Sequence, residues 1–253
     1  MSKYLSNLCL QSCILSLIAL GLLVQPIAAK QKASGKPVEK STQAPKSEPN
    51  KVDANGVKML PLNMKLPKPV FDGTPEDARI SRLEKPHGLR PPFYAPEGTT
   101  NVASGKSVVC NQEPIIGDLT MITDGDKEAA DGSFVEFGPG INHITIDLGA
   151  EYNIYAIVVW HYHKQQQVYF DVIVQTSDDS NFISNVKTLF NNDRDNSAGQ
   201  GIGQNLHYVD TYEGRLIDAK CVKGRYVRLY SNGNSSNEQN HYTEVEVYGK
   251  AAK

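Results

Sequence analysis

The sequence predicts an all-β protein: a single sandwich of about 150 residues, the usual size of one domain, behind a long non-globular leader. Three observations predict it. Runs rich in β-branched and aromatic residues recur from Asn101 onward, separated by clusters of Gly, Asn, Asp and Ser. In the later runs apolar residues return with period two: Val172 and Val174, Val227 and Leu229, Val245 and Val247. No amphipathic helix of useful length interrupts them, and no internal repeat is present.

Taken in order, the chain of 253 residues opens on an export signal. Lys3 leads into "CILSLIALGLLVQPIAA" at 13–29, an apolar run closed by small residues, with cleavage expected after Ala29. A membrane anchor is the alternative, but the run is short for a span and Pro26 interrupts its end. Cleavage removes Cys9 and Cys13 and leaves two cysteines, Cys110 and Cys221. In an oxidising compartment such a pair is a disulfide candidate, and a loop of that length stabilises by up to about 4–5 kcal/mol in the chain-entropy model. Two separate buried thiols are the other possibility.

Residues 30–58 hold seven lysines and no aromatic residue, so they cannot bury enough apolar surface to offset ordering entropy and read as a disordered linker. Eleven of the 14 prolines lie between Pro37 and Pro96, which makes 59–97 an extended, proline-rich arm. Its Leu66, Val70, Phe71, Phe93 and Tyr94 argue that it lies against the domain at 98–250. Strands are then expected at "HITIDLG" (143–149), "YAIVVWHY" (155–162), "VYFDVIVQ" (168–175), "RYVRLY" (225–230) and "YTEVEVYG" (242–249). Trp160 shares the parity of Val158 in a run apolar on both faces, so it is expected to be buried.

Seven motifs fall in an order that resembles the discoidin, or coagulation-factor C-type, family of galactose-binding-like jelly rolls, close to bacterial carbohydrate-binding modules. They are "NVASGKSVV" (101–109), "MITDGD" (121–126), "ITIDLG" (144–149), "IYAIVVW" (154–160), "FDVIVQTSDD" (170–179), "RYVRLY" (225–230) and "EVEVYG" (244–249). The resemblance implies a jelly-roll β-sandwich of about eight strands, with its chain ends close together and a ligand-binding end made of loops. It also implies a structural calcium ion between the TDGD turn and the glutamate opening the last strand, here Asp124, Asp126 and Glu244 with backbone carbonyls. Without the resemblance, the same residues read as an Asp-Gly turn and an exposed strand glutamate.

Ligand-binding candidates come from three polar segments. "HYHKQQQ" supplies His161, Tyr162, His163, Lys164 and Gln166, which offer aromatic faces and directional donors. His161 and His163 share one side of a strand and could instead bind a metal, but no third ligand stands in a zinc pattern. The loop at 190–205 offers Asn191, Asn192 and Asp193. Its Asn191, Asp193, Asp195 and Ser197 alternate as in an EF-hand, but Ile202 stands where the bidentate glutamate belongs. The loop at 231–241 offers Asn232, Asn234 and Asn237, amides that can donate and accept at once. The segment after His163 reads Lys-Gln-Gln-Gln, where sugar-binding members carry an arginine loop.

The net charge of -2 argues against a nucleic-acid partner. No Gly-x-Ser-x-Gly, cysteine–histidine pairing or glycosidase carboxylate pair is present, so no catalytic residue is assigned. The expectation is a secreted or periplasmic, cell-envelope binding module for carbohydrate or another extracellular polymer, with no membrane span after signal cleavage. The alternative is a protein-interaction or scaffolding subunit of a cell-envelope assembly, using the proline-rich arm and the same fold.

Overall fold

The computed structural model describes residues 51–53, 56–70, 79–85 and 88–252. The export signal, Cys9, Cys13, the linker up to residue 50 and Phe71 lie outside the described residues. Among those described, eleven strands and one 3₁₀ turn, Leu119–Thr123, form the chain, and every strand pairing is antiparallel. The arm contributes β1 (Met59–Pro61) and β2 (Tyr94–Pro96). Then follow β3 (Thr100–Asn101), β4 (Val108–Cys110), β5 (Val135–Phe137), β6 (Asn142–Trp160), β7 (Ile173–Ser177), β8 (Lys187–Asn191), β9 (Arg215–Ser231), β10 (Asn240–Tyr242) and β11 (Glu244–Ala251).

Two runs expected as separate strands, 143–149 and 155–162, are joined in β6, whose partner β9 is almost as long. Their pairing runs from Asn142↔Ser231 to Asp147↔Tyr226, breaks, resumes at Tyr152↔Gly224, and ends at Val159↔Arg215. The break is a corner. Gly149 takes φ 84° there, a left-handed conformation that glycine adopts without a Cβ clash. Beyond the corner, Lys220 and Cys221 also take positive φ. The ribbon folds back so that its two ends meet: the Tyr242 hydroxyl lies 3.3 Å from Ser231 Oγ, while the Tyr242 ring sits 5.1 Å from that of His161.

Each limb of the ribbon carries its own neighbours. β4, β7 and β8 extend the first limb; β11 and then β3 extend the second. Period-two alternation sends Ile144, Ile146, Leu148, Val227 and Leu229 inward from the first limb. They meet Ile157, Val159, Ile217, Val245 and Val247 from the second in one core. The β5–β10 pair closes that core with Val135, Phe137 and Tyr242. This is a β-sandwich made largely from one bent sheet. Asn101 at its start pairs with Tyr248 near its end, so the domain's two chain ends are neighbours.

The outer face of the second limb is apolar too, because Ala156, Val158, Trp160 and Tyr248 point away from the main core. The arm covers it: Leu62, Met64 and Phe93 pack on this group, and Trp160 is fully buried, its indole N–H donating to the Tyr212 carbonyl at 3.0 Å. Further along, Leu83 forms a bridge to His207, Glu84 grips Arg215 with two bonds of 2.7 and 2.8 Å, and Arg90 donates to the Gly214 carbonyl at 2.7 Å.

The expected disulfide is absent: Cys110 and Cys221 are free thiols. The register explains it. Cys110 pairs with Ile144, which pairs with Leu229 in the first limb, whereas Cys221 sits beyond the corner in the second limb, beside Val222. Positions 222 and 229 lie on opposite sides of the corner, seven residues or about 23 Å of strand contour apart. A disulfide requires Cα atoms within about 7 Å.

Trp160 is the chain's single tryptophan, so its emission reports arm docking. Phe93→Ala removes a half-buried ring above it and is expected to lower stability by about 1–2 kcal/mol, less than the loss of a fully buried aromatic. Urea unfolding followed by Trp160 fluorescence measures this, with a red-shifted native emission as the companion signal. An unchanged midpoint and spectrum would contradict the packing described.

Candidate functional site

Both ends of the folded ribbon open into loops at one end of the sandwich, and the three candidate polar segments all lie there. The structure separates them into residues that build this end and residues that face solvent.

His161 and His163 belong to the first group, which corrects their assignment as ligand contacts. They are 0% and 1% exposed. His161 stacks on Tyr169 at 4.3 Å, and its Nδ1 lies 3.3 Å from Asp210 Oδ1, also fully buried. His163 Nε2–H donates to the Lys127 carbonyl at 2.8 Å, and burial holds its pKa below the usual histidine value. The chain after β6 therefore turns inward. Its imidazoles satisfy buried polar atoms, as does His241, which joins the Tyr169 hydroxyl at 2.9 Å to Glu136 at 3.0 Å. Tyr162 is half-buried between Phe134 and His241. Lys164 and Gln166 stay at the surface, but neither lines the depression described below.

Asn191, Asn192 and Asp193 are likewise 8%, 0% and 0% exposed, and the ligand role expected for them is replaced by a bracing one. A long loop without regular structure must still satisfy its backbone N–H groups. Asn192 Oδ1 accepts from the Val172 amide at 2.7 Å, Asn191 Oδ1 from Asp193 at 2.8 Å, and Asp193 Oδ2 from Ala198 at 3.0 Å. Asn234 is also committed to its own turn: its amide donates to Asn237 and Gln239, and its oxygen accepts from Ser236 and Asn237.

What faces solvent is organised by Asp171. It sits at φ 50°, a left-handed conformation that aspartate tolerates better than most residues, and this ends the strand expected over 168–175. Its Oδ2 accepts from Ser197 Oγ at 2.7 Å and from Asn232 Nδ2 at 2.8 Å, tying the 190–205 and 231–241 loops to one carboxylate. The neighbouring Phe170 exchanges backbone bonds with this loop, its N–H donating to Gly233 and its carbonyl accepting from Asn232. The Phe170 ring meets His207 edge-on at 5.6 Å. Around it lies a depression of 430 Å³ lined by Pro139, Gly140, Phe170, Asn232, Asn237 and Glu238, among others. Phe170 was not anticipated. Within "VYFDVIVQ" it alternates with Val168 and Val172 like a strand residue, and only the backbone conformation of Asp171 reveals a loop.

Two carboxylate arrangements bear on metals. Asp171, Asp193 and Asp195 present oxygens within 4.8 Å of one another, the only such group of His, Cys, Asp or Glu among the described residues. Thus His161 and His163 form no multi-ligand metal group there. Asp124, Asp126 and Glu244 do not gather as three carboxylates either. Asp124 and Asp126 accept from the backbone of their own turn at 2.8 and 2.9 Å. Glu244 does reach that turn, accepting from the Gly125 amide at 3.0 Å. It is fully buried, its Oε1 has no hydrogen-bond partner, and burial pushes its pKa up to about 8. Beside it Lys127 pairs with Glu246 at 2.8 Å.

No protein-family model matches the chain, and no curated protein matches it. Solved structures do. A family 89 glycoside hydrolase from Clostridium perfringens matches at 19% identity and a TM-score of 0.45, covering 60% of this chain but 15% of the hydrolase. A fucose-binding module from Streptococcus pneumoniae matches at 21% identity and a TM-score of 0.42, covering 59% of this chain and 97% of the module. A chitosan-binding module from a Paenibacillus sp. IK-5 chitosanase/glucanase matches at 18% identity and a TM-score of 0.39, covering 59% of this chain and 99% of the module.

Asp171→Ala is expected to loosen both loops together while leaving the sheets intact, with a loss of about 1.5–3 kcal/mol for bonds to a charged acceptor. Amide hydrogen exchange should rise in 195–201 and 232–238 alike. Faster exchange in one loop alone, or in neither, would show that Asp171 does not join them.

Proposed function

We propose that this chain is an exported, non-catalytic module that binds carbohydrate through the loop end of its sandwich. The observation that carries this reading is the depression around Phe170. It sets an aromatic ring beside exposed or half-exposed amide and carboxylate groups of Asn232, Asn237 and Glu238. A sugar presents an apolar C–H face and a rim of hydroxyls, and this site offers a partner for each. The buried bracing by Asn191, Asn192, Asp193 and Asn234 favours a preformed site, which lowers the ordering cost of binding.

The apolar run at 13–29 supports export, with the module secreted or in the periplasm or cell envelope. Among the described residues no helix is long and apolar enough to cross a membrane. The non-catalytic reading rests on the lack of any recognisable nucleophile or acid–base motif in the sequence. The alternative, a scaffolding subunit that captures another envelope protein with its arm, is weakened by the arm's own packing. Leu62, Met64 and Phe93 are spent on this chain's Trp160 face.

A structural cation also belongs to the proposal. The buried Glu244, with one unpartnered oxygen and a neighbouring acidic turn, fits calcium better than it fits an isolated carboxylate. Glu244 would hold the ion with Asp124 and backbone carbonyls of the turn, linking that turn to β11. When bound, calcium supplies charge compensation for a carboxylate that burial otherwise protonates.

A glycan array followed by calorimetry on residues 30–253 tests the binding claim. Phe170→Ala and Asn232→Ala should each weaken binding at least about tenfold, or 1.4 kcal/mol. No binding with or without calcium, or unchanged affinity in both variants, would refute it. Calcium should raise the melting temperature of the wild type at neutral pH and leave Glu244→Gln unaffected. Equal shifts in both proteins would remove Glu244 as the ligand.

A further inference from the structure

At the corner of the ribbon, the end of the sandwich away from the loops, lies a larger groove of 760 Å³. One wall comes from the arm, with Met59, Phe93 and Tyr94; the other comes from the sheet, with Asn153, Tyr155 and Cys221. The sheet wall is built by a bulge. Pairing passes from Ala156↔Asp218 directly to Ile154↔Val222, so three residues of β9 stand opposite Tyr155 alone. Lys220 and Cys221 both adopt positive φ, and the Lys220 amide donates to Asp218 Oδ1 at 2.9 Å. A bulge of this kind re-aims side chains that a regular strand would alternate across the sheet. On the arm wall the Lys51 ammonium sits 4.1 Å from the Tyr94 ring centre.

The chemistry of the walls narrows the ligand. The volume lies within the range of small-ligand sites. Aromatic rings of Phe93, Tyr94 and Tyr155 provide apolar faces, none of them fully buried, and the Asn153 amide stands among them. Ionic groups of both signs border the groove, Asp53 and Asp218 with Lys220 and Lys250, while the Lys51 ammonium is engaged on the Tyr94 ring, so a strongly charged ligand of either sign meets like charge. A neutral, hydroxyl-rich ring compound fits this combination.

We infer that this groove is a second saccharide-binding site, specific to neutral oligosaccharides and remote from the loop end. The inference stands on the groove alone, so it survives or fails separately from the loop-end reading. Two sites at opposite ends make the chain bivalent. A bivalent module bridges neighbouring polysaccharide strands, or gains avidity on one, only where both sites engage together.

Cys221 provides the test, because it is an exposed free thiol inside the groove while Cys110 is a part-buried thiol outside it. Alkylation of the full chain by iodoacetamide, resolved by mass spectrometry, is measured with and without cellohexaose and laminarihexaose. One of these hexasaccharides should slow Cys221 about threefold at twice its dissociation constant, following mass action, and leave Cys110 unchanged. Protection should persist in Phe170→Ala, which damages only the loop end. It should vanish in Tyr155→Ala, whose fold is verified by its Trp160 emission. No protection by either sugar at millimolar concentration overturns the inference. So does equal protection of both cysteines, protection retained in Tyr155→Ala, or protection lost in Phe170→Ala.

Discussion

The continuous pairing of β6 with β9 through a corner is the constraint on which the rest of the structure depends. A straight ribbon of that length would expose one apolar face along its whole course. Folding it at Gly149 turns that face on itself and creates the core from two limbs of the same pair of strands. The fold also sorts the molecule's ends. Both extremities of the ribbon emerge together, where loops gather, while the corner is left for the paired arm strands β1 and β2 to flank. The two candidate binding regions are consequences of one bend.

The second consequence is a sheet with two buried faces in one limb and one in the other. Ala156, Val158 and Trp160 must be covered, and a chain segment rich in proline can cover them without regular structure because it runs extended. Its few ordered side chains are placed where they meet the sheet. Glu84 on Arg215 and Arg90 on Gly214 then fix the strap across the outer surface. The arm is thereby part of the folded unit's energetics, beyond any role as a tether.

Much of this was legible in the residues. Period-two alternation located the strand at 225–230 and most of the run at 242–249, which Thr243 divides between β10 and β11, and the double-sided apolar run at 155–160 indicated burial of Trp160. Asn232 and Asn237 were legible as surface amides of an Asn-rich turn, whereas the bracing of that turn by Asn234 was not. Three things were not. The inward turn of His161 and His163 depends on Asp210, 49 residues later than His161, and on stacking with Tyr169. Phe170 was hidden by an alternation that Asp171 breaks only through its φ angle. The two cysteines had the right count for a bridge, but their separation follows from strand register, which composition does not encode.

Two polar loops, knotted by Asp171 beside Phe170, are proposed to form a saccharide site. Amide chemical-shift mapping with a glycan positive on the array tests it most directly. Perturbations are expected to concentrate in 170–172, 195–201 and 232–238 and to saturate with the affinity found by calorimetry. Perturbations absent from all three segments, with the shifts confined to another surface, would contradict it.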